Sequence, residues 1–335
     1  MAALRPLIII AAALCVFVSG EVMTSRQALA FDIEAHRGGR ALFPENTLPA
    51  FAHALSIGVD TLELDVGATQ DGALIVSHDR RLNPDLARTV DGVYVAAPGT
   101  PLVKLNLEDV RKYDVGQIRP GSAYAAQFPE QRAVPGTPMP RLKQVIDLVR
   151  RSGNNEVRLN IETKIDPNRP SETLEPEPFV RLLLGLLAAE KFTDRAMVQS
   201  FDWRTLQLVQ KIAPSIPTVY LSRQSGLSPT VLLDKASSWT AGFNPAEHGG
   251  SLPRTIKAAG GAIWSPYFSD VNPEVISEAH GLGLKVVVWT VNKPADMARL
   301  IDIGVDGIIS DHPDLLRKVA GEKGITLPAG WPVTP

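Results

Sequence analysis

Short β-branched apolar runs alternate with segments of helical periodicity from residue 31 almost to the end of the chain. This alternation is typical of repeated β–α units, which build a parallel sheet. The apolar runs predict eight strands, at residues 33–36, 62–66, 158–163, 197–201, 218–222, 262–266, 286–291 and 307–311. The periodic segments predict helices at residues 48–57, 141–151, 178–191, 204–212, 273–282 and 295–303. Eight strands separated by helical segments favour a (β/α)8 TIM barrel.

The rival architecture is a doubly wound open sheet, which also alternates strands and helices. An open sheet collects its ligands at one switch point of the strand order. In this chain, polar side chains follow strands throughout the sequence, as they do at the carboxyl ends of a closed barrel. The distribution of polar residues therefore favours the barrel.

Two segments interrupt the alternation of strands and helices. Residues 80–140 are rich in Pro, Gly, Ala and Arg and show no sustained period, and they are too long for a plain βα loop. We expect them to form an insertion after the second strand, as a lid or small subdomain over the barrel mouth. Residues 224–261 are a second long excursion with two Gly-Gly pairs.

The first thirty residues have a different pattern. Arg5 precedes an apolar run at residues 6–19, and the small residues Ala28 and Ala30 flank Leu29 just before Phe31. This order is typical of a secretory signal peptide, and the run is shorter than the about 20 residues of a spanning helix. We therefore predict a signal peptide at residues 1–30 and an exported domain, periplasmic or secreted, at residues 31–335. An uncleaved N-terminal anchor is the alternative.

Composition narrows the class of protein. Cys15 is the single cysteine and lies in the predicted signal, so the exported domain is expected to have no disulfides. The formal net charge is -2, and no basic block is present. A nucleic-acid-binding function therefore has no support. The sequence predicts no oligomeric state.

Carboxylates occur in pairs on the predicted strands. Glu63 and Asp65 are two positions apart, so both side chains point to one face of a strand. Glu162 and Lys164 have the same spacing at the end of the next barrel strand. Because a buried carboxylate is unfavourable unless its charge is compensated, the three acids predict a bound cation. Carboxylate oxygens suit one Ca²⁺ or Mg²⁺ better than zinc, and structural ion pairs at the barrel rim are the alternative.

Two histidines stand at strand ends near these acids. His36 and His78 can carry protons because imidazole titrates near neutral pH. One could deprotonate a nucleophile while the other protonates a leaving alkoxide. Arg37 offers a planar, permanently charged fork for a phosphate group. These groups predict a metal-assisted phosphodiesterase.

The chain resembles the glycerophosphodiester phosphodiesterase family through short motifs in the family's order. The motifs are EAHRGG (34–39), PENT (44–47), ELDV (63–66), TQDG (69–72), IVSHD (75–79), NIETK (160–164), QSFDW (199–203), VVVWTVN (286–292) and GVDGIISDHPDLL (304–316). The family is similar to a TIM barrel, in agreement with the strand pattern.

The resemblance implies a role for individual residues. It places the catalytic histidines at His36 and His78, and the metal ligands at Glu63, Asp65 and Glu162. It implies phosphate contacts at Arg37 and Lys164. The family pattern also implies that Trp289 lies near the alcohol end of the substrate and that Glu45 orients the residues that touch substrate or metal.

The expected reaction is metal-dependent hydrolysis of a small-molecule glycerophosphodiester to sn-glycerol 3-phosphate and an alcohol. Attack by water and attack by the neighbouring glycerol hydroxyl, through a cyclic phosphate, both fit the sequence. The sequence also leaves open which histidine is the base, although His36 is our choice. Two alternatives remain: a lysophospholipase D or phosphoinositide-type phosphodiesterase on the same barrel, and an exported glycerophosphodiester-binding protein without catalysis.

Overall fold

A computed structural model describes residues 31–226 and 228–335. In chain order the strands of this described part are β1 (Asp32–Ala35), β2 (Thr61–Ala68), β3 (Leu74–Val76), β4 (Arg88–Thr89), β5 (Tyr113–Asp114), β6 (Arg158–Thr163), β7 (Ala196–Ser200), β8 (Thr218–Ser222), β9 (Ile263–Pro266), β10 (Lys285–Val288) and β11 (Gly307–Ser310). Eight of them, β1, β2 and β6 to β11, pair in parallel in that order, and β11 pairs back with β1. The predicted TIM barrel is confirmed, and all eight predicted strands overlap its strands.

Helices connect the barrel strands. The α-helices of the described part are α1 (Leu48–Ile57), α2 (Leu107–Val110), α3 (Leu142–Ser152), α4 (Pro176–Ala189), α5 (Trp203–Ile212), α6 (Leu252–Ala258), α7 (Pro273–Gly281), α8 (Pro294–Asp302) and α9 (Pro313–Glu322). Helix α6 lies in the second excursion, where the sequence predicted no helix. Its start has an ordinary signal, because the Ser251 hydroxyl accepts a hydrogen bond from the backbone N–H of Arg254.

The helices bury their apolar faces against the outside of the barrel. The main core joins side chains of the strands, such as Leu62 and Ile161, to helix residues such as Phe51 and Leu183. The predicted signal peptide at residues 1–30 lies outside the described residues. Among the helices of the described part, none combines the length and the apolar character needed to cross a bilayer.

The inside of the barrel has two chemically different halves. Each of the strands β7 to β11 points one apolar side chain inward, and these five form a cluster of Met197, Val219, Ile263, Val287 and Ile309. Strands β1, β2 and β6 instead carry buried polar and charged side chains, namely Glu34, Glu63, Asp65, Asn160 and Glu162. A TIM barrel normally fills its interior with branched apolar residues. The polar half is therefore a departure from ordinary packing that calls for a functional explanation.

The predicted insertion after the second barrel strand is confirmed. Strand β3 runs back antiparallel to β2, and the chain then leaves the barrel until α3. The inserted segment has an apolar cluster of its own that includes Leu82, Leu102 and Val110. It also contains the antiparallel pair β4–β5. The insertion is therefore a packed unit and not a plain loop.

Glu34 shows how a buried carboxyl is accommodated in the polar half of the barrel. It is 1% exposed and accepts a hydrogen bond of 2.9 Å from Asn160 Nδ2. Burial, with the nearby Asp32, raises the pKa of Glu34 well above its usual range. Below its ordinary pKa the group is protonated whether the chain is folded or unfolded. Above that pH only the unfolded chain ionises it readily, so stability falls as pH rises.

Replacing Glu34→Gln should therefore stabilise the fold at pH 8 more than at pH 4, because the amide cannot ionise. We expect a rise in Tm on the order of 1–2 °C at pH 8, which corresponds to about 1 kcal/mol for a domain of about 300 residues. Thermal unfolding at both pH values measures the effect. Glu177→Gln, on the exposed face of α4, is the control; an equal shift in both variants would contradict the explanation.

Candidate active site

Three carboxylates meet at the C-terminal end of the polar half of the barrel. Glu63 and Asp65 lie on β2, and Glu162 lies on β6 directly opposite Asp65 in the pairing register. One oxygen atom from each of the three lies within 4.8 Å of the others. All three side chains are buried. The structure thus brings the predicted metal ligands together.

Burial and mutual repulsion oppose the simultaneous ionisation of the three acids at this spacing. Burial, with the charge of Asp65, raises the pKa of Glu63 well above its usual range. Burial raises the pKa of Glu162 to about 7, even though Lys164 opposes the shift. Burial would raise the pKa of Asp65 too, but Lys164 and Arg37 hold it well below its usual range. A cluster of oxygen donors with excess negative charge could hold a hard divalent cation.

Two buried cations face this cluster. Lys164 Nζ lies 2.7 Å from Glu162 Oε1 and 3.5 Å from Asp65 Oδ1. Arg37 Nη1 lies 2.7 Å from Glu45 Oε1, and its Nε lies 3.3 Å from Asp65 Oδ2. Within the described part of the chain, Arg37 Nε is nevertheless a buried donor without a hydrogen-bond acceptor. An N–H beside the acids thus remains available for another oxygen atom.

His36 is held with one ring nitrogen toward the acids. Its Nδ1 lies 2.5 Å from Asp311 Oδ1, and its Nε2 lies 4.0 Å from Glu63 Oε2. A carboxylate at Nδ1 favours the tautomer in which Nδ1 carries the proton and Nε2 has a free lone pair. Burial lowers the pKa of His36 to about 4, although Asp311 acts in the opposite direction. The ring is therefore neutral near pH 7 and able to accept a proton.

His78 has a similar arrangement on the other side, just after β3. Its Nδ1 lies 3.0 Å from Asp79 Oδ1, and Asp79 in turn accepts a hydrogen bond of 2.5 Å from Asn83 Nδ2. Its side chain is 34% exposed, against 11% for His36. Burial, Arg37 and Lys164 lower the pKa of His78. Each predicted proton carrier thus has its own carboxylate partner.

An unusual backbone turn connects β1 to the site. Arg37 has φ 51° and Gly38 has φ 81°, both in the left-handed region. This turn lets the Arg37 N–H donate a hydrogen bond of 2.8 Å to Glu63 Oε2. A Cβ on Gly38 would lie 2.9 Å from the Cβ of Ala50, so only glycine fits there. Such strain in a non-glycine residue is typical of functional sites.

Asp311 lies two residues before Pro313, a pattern that is typical of a helix N-cap, but it does not cap α9. The N-cap residue of α9 is His312, without a side-chain cap bond. Asp311 turns instead into the barrel mouth, where it accepts hydrogen bonds from Arg40 Nε and Asn292 Nδ2, each 2.7 Å long. Its place at the end of the last strand was the available signal, because polar residues there point to the site.

Two amides that the sequence did not single out orient the acids. Asn46 Nδ2 donates to Asp65 Oδ2 over 2.9 Å, and Gln199 Nε2 donates to Glu63 Oε1 over 2.6 Å. Both are buried. Their motifs, PENT and QSFDW, were noticed without a role for these two positions. The carboxylates are thus fixed in place by donors from three other elements of the fold, since Arg37 also contributes its N–H.

Trp289 lies apart from the charged residues. It follows β10, and its ring packs edge-on against Phe201 and at an angle against Tyr267, with centroid distances of 5.3 Å for each pair. Its Nε1–H donates to the Ser265 carbonyl over 3.0 Å. The mouth of the barrel thus has a charged side on β1, β2 and β6 and an aromatic side at the ends of β7, β9 and β10.

Comparison with known proteins supports a single family. The model of the glycerophosphoryl diester phosphodiesterase family matches residues 36–315. A glycerophosphodiester phosphodiesterase from Caldanaerobacter subterraneus subsp. tengcongensis is 30% identical over 290 residues, which cover 87% of this chain and 98% of that protein. One from Bacillus subtilis is 29% identical over 291 residues, 85% of each chain.

Solved structures give the same result. A protein from Silicibacter pomeroyi DSS-3 that carries the family's name has a TM-score of 0.79 and 33% identity, and the match covers 89% of this chain and 95% of that one. A phosphodiesterase from Oleispira antarctica, in complex with sn-glycerol-3-phosphate, has a TM-score of 0.64 at 20% identity, over 87% and 97% of the two chains. The chain belongs to the glycerophosphoryl diester phosphodiesterase family.

Proposed function

We propose that this phosphodiesterase hydrolyses glycerophosphodiesters to sn-glycerol 3-phosphate and an alcohol, with His36 and His78 as the proton carriers. The observation that carries the proposal is the placement of two carboxylate-bound imidazoles beside a buried acid cluster. A protein of the same fold, from Oleispira antarctica, was solved in complex with sn-glycerol-3-phosphate, which supports this product.

The acid cluster is the proposed site of one divalent cation, Ca²⁺ or Mg²⁺. Glu63, Asp65 and Glu162 would hold it through carboxylate oxygens, a donor set without the nitrogen or sulfur ligands that zinc prefers. When bound, such a cation withdraws electrons from phosphoryl and hydroxyl oxygens and lowers the pKa of a bound hydroxyl. Arg37, with its unshared Nε–H, and Lys164 would contact the phosphoryl oxygens and stabilise the charge that develops there.

The histidines divide the proton transfers. In the proposed mechanism His36 Nε2, which faces the acids, removes the proton of the attacking hydroxyl as a new O–P bond forms. The P–O bond to the alcohol breaks as His78, protonated on both ring nitrogens and held at Nδ1 by Asp79, gives its Nε2 proton to the leaving oxygen. The more exposed position of His78 suits the side where the alcohol departs. Attack by water gives the product directly, whereas attack by the glycerol hydroxyl forms a cyclic phosphate that water then opens.

The wild-type protein should release sn-glycerol 3-phosphate from glycerophosphocholine, and His36→Ala or His78→Ala should each lower kcat about 10²–10⁴-fold, the usual contribution of general acid–base catalysis. A coupled assay for sn-glycerol 3-phosphate measures the rates. His280→Ala is the matched control, because His280 is exposed at the end of α7 and pairs with Asp306.

Near-normal turnover in either variant would exclude that histidine from the chemistry. Cleavage of lysophosphatidylcholine in preference to glycerophosphocholine would instead identify a lysophospholipase D on this barrel. A protein that binds glycerophosphocholine but never cleaves it, with or without added cations, would be a binding protein.

Glu63→Gln should weaken cation affinity by at least about tenfold, since loss even of an outer partner of a metal ligand costs that much. Calorimetric titration with Ca²⁺ and with Mg²⁺, after dialysis against a chelator, measures the affinity and identifies the preferred ion. Glu34→Gln is the control, because it removes a buried carboxyl of the same barrel outside the cluster. Equal affinity in Glu63→Gln and wild type would show that the cation binds elsewhere.

The proposed export of the protein rests on residues 1–30, which resemble a signal peptide in sequence. If the signal is cleaved after Ala30, N-terminal sequencing of the exported protein should begin at Phe31. Recovery of the uncleaved chain in the membrane fraction would support the N-terminal anchor instead.

A further inference from the structure

One side chain of the insertion contacts the charged side of the barrel mouth through two polar neighbours. Tyr124 lies in residues 80–140, and its hydroxyl donates a hydrogen bond to Glu45 Oε2. The same hydroxyl accepts a hydrogen bond of 3.1 Å from Arg40 Nη1. An arginine can only donate and a carboxylate can only accept, so a hydroxyl between them satisfies both at once.

The first neighbour connects Tyr124 to the proposed phosphate contact. Glu45 Oε2 accepts from Tyr124, and Glu45 Oε1 lies 2.7 Å from Arg37 Nη1. Glu45 and Arg37 are each 7% exposed, so little water is available to replace a lost partner. The hydroxyl therefore fixes the carboxylate that fixes the guanidinium of Arg37.

The second neighbour connects Tyr124 to His36. Arg40 Nε donates to Asp311 Oδ1 over 2.7 Å, and the same oxygen lies 2.5 Å from His36 Nδ1. The guanidinium carbon of Arg40 lies 4.8 Å from the centre of the Phe128 ring, which also belongs to the insertion. Arg40 is thus held between an aromatic ring, a hydroxyl and a carboxylate.

Further contacts dock the insertion against the loop that carries His36 to Glu45. The backbone N–H of Arg132 donates to the Leu42 carbonyl over 2.9 Å, and Gln131 Nε2 donates to the Arg40 carbonyl over 2.6 Å. Ala41 packs with Ile118 and Phe128 in a small apolar cluster. Residues 80–140 therefore hold the loop that carries His36 to Glu45 from outside the barrel.

We propose that Tyr124 is a positioning residue, through which the insertion sets the placement of Arg37 by way of Glu45 and of His36 by way of Arg40 and Asp311. The inference rests on the proposed function, because it assumes that Arg37 and His36 act on the phosphodiester. Without the hydroxyl, Glu45 Oε2 and Arg40 Nη1 each lose a hydrogen-bond partner and turn toward new ones. Both side chains that face the phosphate are then displaced together.

Tyr124→Phe tests the proposal, because it removes the hydroxyl and keeps the ring that packs against Phe128. With glycerophosphocholine as substrate, we expect kcat to fall about tenfold or more while KM changes little, since the misplaced groups act mainly in the transition state. Tyr94→Phe is the matched control, because Tyr94 also lies in the insertion and donates its hydroxyl to the Gln117 carbonyl over 3.1 Å. Tyr94→Phe should retain wild-type kcat.

A double-mutant cycle separates positioning from general loss of stability. Glu45→Gln and Tyr124→Phe should be clearly less than additive in log kcat, because the hydroxyl acts partly through Glu45. Assays run at 25 °C, with the Tm of each variant measured, keep unfolding out of the comparison. Additive effects, or an equal loss of kcat in Tyr94→Phe, would overturn the role of Tyr124.

The outcomes also distinguish this inference from the function on which it rests. An inactive wild-type protein would overturn both. An active wild type, with Tyr124→Phe at wild-type kcat, would overturn the positioning role alone and leave the proposed hydrolysis intact.

Discussion

The crowding of three carboxylates in a buried barrel mouth is the constraint to which the rest of the site responds. Their oxygens lie within 4.8 Å of one another, far closer than like charges tolerate away from water. Arg37 and Lys164 supply positive charge, while Asn46 and Gln199 supply neutral donors. This arrangement leaves a cluster of oxygen donors that could hold a metal ion, and it explains why so many hydrogen bonds converge on two short strands.

The division of the barrel into two halves follows from that constraint. Charged and amide groups need one another as partners, so most of them gather on neighbouring strands β1, β2 and β6, and Gln199 joins them from the adjacent strand β7. The remaining strands fill the interior with apolar side chains and end in an aromatic wall around Trp289. A glycerophosphodiester has the same polarity pattern, with an anionic phosphate at its centre and an alcohol of variable character at one end. Under the proposed function, the charged side of the barrel mouth would take the phosphate and the aromatic side the alcohol.

The sequence predicted the barrel and most of the polar residues at its mouth, because the alternation of strands and helices and the spacing of acids on a strand are both local patterns. Glu63 and Asp65 are recognisable from their spacing on a strand, which sets the direction of each side chain. Asp311 was not recognised, because an acid two residues before a proline also fits a helix start. Only closure of the barrel brings Asp311 within 2.5 Å of His36. Tyr124 was beyond reach for another reason: residues 80–140 have no period, so nothing local indicates which side chain points to the barrel.

The pairing of His36 with Asp311 joins residues 275 positions apart. Contacts of such long sequence separation are entropically costly, since the chain must close a large loop to form them. The loop closes only when β11 has paired with β1, the step that completes the barrel. A chain truncated before its last strand would lack the partner that holds the His36 ring. The contact that holds the His36 ring is therefore complete only in a chain whose last strand has closed the barrel.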